Sequence, residues 1–145
     1  MLHQDQISAA ELLKNYLGSA TREAPNVDDP CFEFVVGWIA LARGQDARAA
    51  YLADGYISPL RLQLDRELFL TRAQMIADRL GLPQSDGAAD GDVGLLDVLS
   101  PDGNGGIRIA GAMAIKSRGL WFARTKRGVL AGPSPFIRAW SVPHG

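Results

Sequence analysis

The sequence predicts an α+β domain in which helices come first and an antiparallel sheet follows. Helical apolar periodicity runs through the first 80 residues, and an apolar run headed by Cys31 is typical of a buried helix. Short β-prone runs, separated by glycine-rich turns, then fill residues 91–143. Helices followed by strands indicate an α+β class, and no internal repeat or domain boundary divides residues 1–145. We therefore expect one domain, with the central Cys-headed helix packed on the C-terminal sheet.

Residues 1–30 are expected to hold one helix and one loop. The spacing of apolar residues over 7–17 indicates a short amphipathic helix. Ser8 is placed to cap it, with Glu11 three residues later as the second member of a capping box. Residues 18–30 contain Gly, Pro, Asn and Asp in close succession and are predicted to form a loop.

The helical part spans residues 31–80, and its first helix, over 31–43, is the most apolar. Its apolar residues lie almost all round the helix, which predicts a central position rather than a surface one. Gly44 is a plausible C-cap. Further segments are a helix over 46–53 with Asp46 as N-cap, helical sequence over 59–80 as one bent helix or two, and a loop over 83–90.

The sheet part, residues 91–143, is predicted to be an antiparallel meander. An apolar run over 93–99 is followed by the turn-forming sequence 101–105, which indicates a hairpin. The turn contains no lysine-serine phosphate motif and lacks the alternating oxygen ligands of a calcium loop, so no cofactor or metal is expected. The predicted strands cover 93–99, 106–115, 120–124, 129–130 and 136–142.

Composition excludes several classes of protein. The chain has a formal net charge of −1, which gives no general attraction to nucleic acid or to an anionic membrane. Its single cysteine excludes an internal disulfide and a cysteine-based zinc site. No apolar run reaches the roughly 18–20 residues of a membrane helix, and no signal peptide is expected at the N-terminus.

Cys31 is the residue best placed for chemistry. The dipole of a helix favours the thiolate form of a cysteine at its N-terminus, and a thiolate is the nucleophile of cysteine hydrolases. Such a nucleophile needs a base, normally histidine, and the chain has only His3 and His144, one near each end. Cys31 is therefore either a nucleophile or the remnant of one.

Several short motifs follow one another in a definite order over about residues 28–143. They are Cys31, Gly44-Gln45-Asp46, Tyr51 or Tyr56, Gly91-Asp92-Val93-Gly94, Gly106-Ile107, Gly119-Leu120 and Ala139-Trp140-Ser141-Val142. This order resembles the NlpC/P60 family of papain-like cysteine peptidases, and more closely a family of small phage and prophage proteins (DUF6950). Asp is usual before the cysteine in the second family, whereas this chain has Pro30.

The resemblance implies three functional hypotheses. In the peptidases the strand aligned with Gly106-Ile107 supplies the catalytic histidine, and here Asn104 stands near that position. We therefore expect a catalytically inactive domain that serves as a structural or assembly component of a phage-type tail, at the tail tip or baseplate. The expected partners are other tail proteins, and the expected location is the virion after synthesis in the host cytoplasm. One alternative is an active peptidase or amidase that cleaves peptidoglycan stem peptides with Cys31 as the nucleophile. Another is a host-encoded module that binds a small molecule or peptide in the cleft that held the substrate of an ancestral peptidase.

Other side chains have both a structural and a functional interpretation. Asp92 is expected to accept hydrogen bonds from nearby backbone amides, and Asp97 to face solvent or pair with an arginine. Asn104 is expected to fit its turn through tolerance of positive φ. Trp121 and Trp140 are expected either in the core or at a partner surface. The basic residues Arg118 and Arg124 are expected either in a solvated hairpin or at a surface that binds an acidic partner.

Overall fold

The computed structural model describes residues 8–19, 30–44, 47–53, 55, 57–125, 128–133 and 135–142. Over these residues the chain forms five helices and a six-stranded antiparallel sheet, which confirms the predicted α+β class. The helices all precede the sheet in the chain. They are α1 (Ala9–Ser19), α2 (Pro30–Arg43), α3 (Ala47–Leu52), α4 (Pro59–Leu64) and α5 (Arg66–Leu80).

Local sequence sets the ends of several helices. The Ser8 hydroxyl accepts a hydrogen bond from the Glu11 amide at 3.2 Å, so the predicted cap of α1 is confirmed. Residues 59–80 form two helices, because Asp65 closes α4 with its backbone N–H and caps α5 with its carboxylate, which accepts from the Leu68 amide at 3.0 Å. Gly44 follows α2 with a φ of 64°, as expected of a C-cap.

Helix α2 occupies the centre of the molecule, as its sequence predicts. Phe34 and Trp38 are each only 1% exposed. The ring of Tyr16 on α1 stacks on Phe34 with centroids 5.5 Å apart, and the Tyr16 hydroxyl donates to the Phe34 carbonyl at 2.6 Å. Helix α2 also packs on the sheet through β3 and β4. Because it is apolar on nearly all sides, it joins the α1 layer to the sheet.

The sheet has the strand order β1-β6-β2-β3-β4-β5, and every pairing in it is antiparallel. Five of the six strands coincide with predicted strand segments, with ends that differ by a few residues. A two-residue strand in the segment 83–90, which was predicted to be a loop, pairs with the last strand and extends the sheet by one position. The strands are β1 (Gln84–Ser85), β2 (Val93–Pro101), β3 (Ile107–Ser117), β4 (Leu120–Thr125), β5 (Gly128–Gly132) and β6 (Phe136–Trp140).

The two faces of the sheet are buried differently. One face meets the helices and contributes Val93, Leu95 and Ile115 to the main core. The other face carries a small separate cluster made of Leu96, Ala114, Trp121 and Ala139. Within the part of the chain that the structure describes, the helices therefore cover one face of this sheet. The predicted loop 18–30 is wrong at both ends, because Gly18 and Ser19 belong to α1 and Pro30 belongs to α2. Several other predicted features lie outside the described residues: the rest of that loop (20–29), the Asp46 cap, Tyr56, and the terminal segments that contain His3 and His144.

Candidate functional site

Cys31 lies in the first turn of α2 and is 6% exposed. Its neighbours on the helix, Phe32 and Phe34, are still more deeply buried. The Phe32 ring stacks on both Tyr51 and Phe69, which fixes the start of α2 against α3 and α5. The thiol is thus held in a rigid, mainly apolar environment.

Cys31 also lines a groove of about 960 Å³ between β3 and the β4–β5 hairpin. The groove exists because the two strands separate: β4 pairs with β3 only at Ser117↔Leu120, Lys116↔Trp121 and Ile115↔Phe122. Beyond Phe122 the strand β4 continues with β5 as its partner. The start of α2 forms part of the wall of the space between the strands.

Three of the four β3 residues that line this groove with Cys31 have very small side chains, and the fourth is Ile109. Ala110, Gly111 and Ala112 form the β3 wall, and Ala123 and Ala131 lie on the β4–β5 wall. Alanine and glycine carry no group that accepts or donates a proton. This wall therefore leaves room for a bound molecule but supplies no catalytic side chain.

The polar groups of the groove are few. Asp97 is the carboxylate among the described lining residues, and it forms a salt bridge with Arg66 at the start of α5. Of the two outcomes expected for Asp97, exposure to solvent or pairing with an arginine, the structure shows the pairing. Arg124 also lines the groove and acts electrostatically on Tyr16. Burial nevertheless dominates and raises the pKa of Tyr16 to about 12, so its hydroxyl stays protonated and bonded to Phe34.

Asn104 lies in the exposed turn between β2 and β3 and is not among the described residues that line the groove. The Asp102 carboxylate accepts from the amides of Asn104 at 2.7 Å and Gly106 at 3.0 Å, and these bonds lower the pKa of Asp102. The expectation of positive φ at Asn104 is wrong. Gly103 and Gly105 on either side of it take those conformations, with φ of 85° and 84°.

Asp92 is 3% exposed and serves the local fold, as predicted. Its carboxylate accepts from the Ser85 hydroxyl at 2.9 Å and from the Ala89 amide at 3.3 Å. Burial raises the pKa of this carboxyl, and the two hydrogen bonds oppose the shift. Asp92 thereby joins the β1 segment to the start of β2.

Of the two interpretations offered for Trp121 and Trp140, the structure shows both rings buried within the chain, at 2% and 1% exposure. The Trp140 indole donates to the Gln74 side chain at 3.2 Å. Trp121 lines the groove, packs against Phe136 at 5.7 Å, and lies below the Lys116 ammonium. Trp121 is therefore reached from the groove, whereas Trp140 belongs to the core.

The two arginines proposed for a partner surface are in different places. Arg118 is exposed in the β3–β4 turn with a φ of 50°, and its amide donates to Asp90 at 2.9 Å. Arg124 is half-buried at the groove. The structure brings Cys31, Trp121 and Arg124 to one groove and leaves Asn104 and Arg118 apart from it.

Sequence reasoning missed the exposed apolar residues at the rim of the groove. Leu99, Ile109 and Leu130 are 74%, 62% and 66% exposed. Their strands alternate apolar and other residues, which predicts burial of one face. The alternation correctly indicates strands, but the described helices end before they cover Leu99 and Ile109. Leu130 pairs with Ala123, which packs on the face of the sheet away from the helices. Only the length of the hairpin, compared with the helices, offered a signal.

Comparisons with known proteins found no matching family model, no matching curated protein and no matching solved structure. Among the described residues, no three acidic, histidine or cysteine side chains are grouped so that they could hold a metal ion. Within the same residues, no helix is long and apolar enough to cross a membrane.

Proposed function

We propose that this chain is an assembly component of a phage-type tail, in the tail-tip or baseplate region, built on an NlpC/P60-like fold that has lost catalysis. Its partners would be other tail or baseplate proteins, and its final location would be the virion. The proposal begins from the motif order headed by Cys31 and Gly91-Asp92-Val93. The α+β order of elements and the position of Cys31 at the head of the central helix are consistent with it.

The observation that carries the proposal is the composition of the wall that shares the groove with Cys31. In a cysteine peptidase a basic side chain must reach the thiol, to accept its proton and later return it. Ala110, Gly111 and Ala112 provide none, and Asp97 is engaged by Arg66. An apolar groove with small side chains suits binding better than proton transfer.

The tail role is tested in a host that produces the particles. Deletion of the gene is expected to leave particles without complete tails, and the wild-type chain supplied in trans is expected to restore them. The purified particles are then analysed by mass spectrometry for this chain. Normal tails in the deletion strain, together with absence of the chain from wild-type particles, would contradict the proposal.

The second candidate function is an active peptidase or amidase that cleaves peptidoglycan stem peptides. One observation favours it: Cys31 lies at a helix N-terminus and also lines an accessible groove. Cys31 would attack the carbonyl carbon of the substrate amide, and backbone amides at the start of α2 would stabilise the oxyanion. A histidine would have to serve as the base.

Digestion of purified muropeptides separates the two functions. If the chain is catalytically inactive, as the first proposal states, the wild-type chain should not cleave muropeptides even at a concentration equal to that of the substrate. If cleavage occurs, Cys31→Ala should abolish it, and His3→Ala and His144→Ala identify the base by the same assay. Cleavage that requires Cys31 would replace the first proposal with the second.

A further inference from the structure

The β2–β3 hairpin extends beyond both of its neighbours in the sheet. Strand β2 pairs along its whole length with residues 107–115 of β3, from Val93↔Ile115 to Pro101↔Ile107. Strand β6 pairs with β2 only as far as Leu96, and β4 pairs with β3 only from Ile115 onward. Among the described residues, the β3 edge over 107–114 has no strand beside it. Such an edge presents backbone N–H and C=O groups to any strand that approaches.

The open β3 edge borders the groove, and the side chains there permit a close approach of another backbone. Ala110 and Ala112 lie on β3, and Ala123 and Gly132 lie on the opposite wall. The side chains of an added strand would meet the Trp121 ring within the groove and Leu130 and Ile109 at its rim. A backbone ladder combined with apolar pockets is the physical basis of strand addition.

The charges of the groove favour one kind of strand. Arg124 contributes a guanidinium group to the lining. Arg108 is not one of the lining residues, but it lies two positions before Ala110 and on the same face of β3 by the alternation of the strand. The one carboxylate in the described lining, Asp97, is already bound by Arg66. A strand that carries an acidic side chain is thus electrostatically preferred to a strand that carries a basic one.

We propose that the groove binds an extended segment of a partner protein, which adds as a strand to the β3 edge at residues 107–114. The segment alternates apolar side chains with at least one carboxylate. This inference rests on the proposed function, because it takes the groove as a binding site for another tail protein. It commits to a partner segment and not to a second copy of this chain.

The full chain is tested with the acetylated and amidated peptide Thr-Val-Thr-Val-Glu-Val-Thr. Binding is measured by amide hydrogen exchange, and we expect exchange at residues 107–114 to slow while exchange elsewhere is unchanged. Two further peptides are N-methylated at alternate residues, one at the valines and one at the others. At least one must lose binding, because N-methylation removes the donors that pair with β3. Strand addition would be overturned if the unmethylated peptide bound without slowing exchange at residues 107–114. It would also be overturned if both methylated peptides bound as tightly as the unmethylated one.

Two comparisons test the groove and its charge. Leu130→Asp at the rim is expected to weaken binding at least tenfold, since it adds a carboxylate to an apolar and cationic groove. Leu41→Asp is the matched control, because Leu41 is 48% exposed on α2 and does not line the groove. The peptide with lysine in place of glutamate should bind several-fold more weakly at low salt. Equal affinity of the two peptides would overturn the charge preference.

The outcomes also distinguish this inference from the tail role. If no peptide binds, strand addition fails, and the deletion experiment still decides the tail role. If tails assemble without the chain, the tail role fails while peptide binding stands on its own measurement. Sedimentation of the free chain completes the test, because a dimer that protects residues 107–114 from exchange would assign the β3 edge to a second copy and overturn the partner assignment.

Discussion

The indole N–H of Trp38 donates a hydrogen bond to the carbonyl oxygen of Gly91 at 2.9 Å, between residues 53 positions apart in the chain. Trp38 lies at the middle of α2, and Gly91 precedes β2 with a φ of 90°. A Cβ atom at position 91 would lie 3.3 Å from the Trp38 ring. This contact fixes the central helix to the start of the sheet, and thereby sets how the Cys31 end of the helix meets the groove.

Replacement of Trp38 by phenylalanine should be costly. Trp38→Phe removes the donor to Gly91 and leaves space in the core, so we expect a loss of about 2–3 kcal/mol in the free energy of unfolding. Trp140→Phe is the matched control, because both rings are 1% exposed. Its acceptor, the Gln74 oxygen, would keep Arg138 as a donor at 3.0 Å. Urea denaturation measures both variants, and equal losses would contradict the role of the Trp38 bond.

The effect of alanine at Gly37 should depend on Tyr16. A Cβ atom at position 37 would overlap the Tyr16 hydroxyl, while the nearest ring carbons would be at 3.4 and 3.7 Å. Gly37→Ala should therefore destabilise the wild-type chain by about 1–3 kcal/mol. In the Tyr16→Phe background the same change should stabilise the chain by about 0.5–1 kcal/mol, as alanine does in a helix interior. A double-mutant cycle by urea denaturation tests this change of sign.

Two glycines in open surroundings should respond oppositely to alanine. Neither Gly81 nor Gly18 has an atom within 4 Å of an added Cβ. Gly81 ends α5 with a φ of 69°, so Gly81→Ala should cost about 1 kcal/mol in the free energy of unfolding. Gly18 lies in α1 without positive φ, and Gly18→Ala should gain about 0.5 kcal/mol. Thermal or urea unfolding measures both, and a gain at Gly81 would contradict the argument.

The buried Asp92 carboxyl should make stability depend on pH. Its pKa is raised above the ordinary value of 3.8, so the folded chain binds this proton more tightly than the unfolded chain does. The contribution of Asp92 to stability is therefore fully present below about pH 3.8 and is lost as the pH rises through the raised pKa. As the pH rises through the raised pKa of Asp92, the free energy of unfolding of Asp92→Asn should therefore increase relative to that of the wild-type chain.

Urea unfolding from about pH 3 to about pH 7 measures the difference between the Asp92→Asn variant and wild type. With the asparagine side-chain oxygen in the place of the Asp92 Oδ2 atom, this oxygen can still accept from both the Ser85 hydroxyl and the Ala89 amide, so the local fold is expected to survive. Asp90→Asn serves as an exposed control two residues away. A difference that does not vary with pH would refute the assignment of the shift to burial.

Features set by neighbouring residues could be predicted from the sequence. The central position of α2 follows from its apolar circumference, and the α1 cap follows from Ser8 and Glu11. The sequence over 59–80 is compatible with one bent helix or two, and does not decide between them. The double role of Asp65 as end of one helix and cap of the next depends on where both helices pack.

Features that depend on distant pairing could not be predicted. The strand Gln84–Ser85 has no apolar alternation of its own and exists because Trp140 and Ala139 provide a partner. The groove depends on where β4 leaves β3, and neither strand marks that point. Asn104 was placed by aligning short motifs, and the structure locates it in the hairpin turn, away from the described wall that Cys31 shares with Ala110.

The position of β6 between β1 and β2 has a consequence for how the molecule folds. Strand β6 is the last strand in chain order, but it lies inside the sheet between β1 and β2. The edge of β2 that pairs with β6 therefore stays without its partner until residues 136–140 have been synthesised. Sequence-distant pairing of this kind slows folding and prolongs exposure of strand edges. A nascent chain still on the ribosome would therefore be most prone to aggregation just before β6 emerges, and chaperones should engage it at that stage.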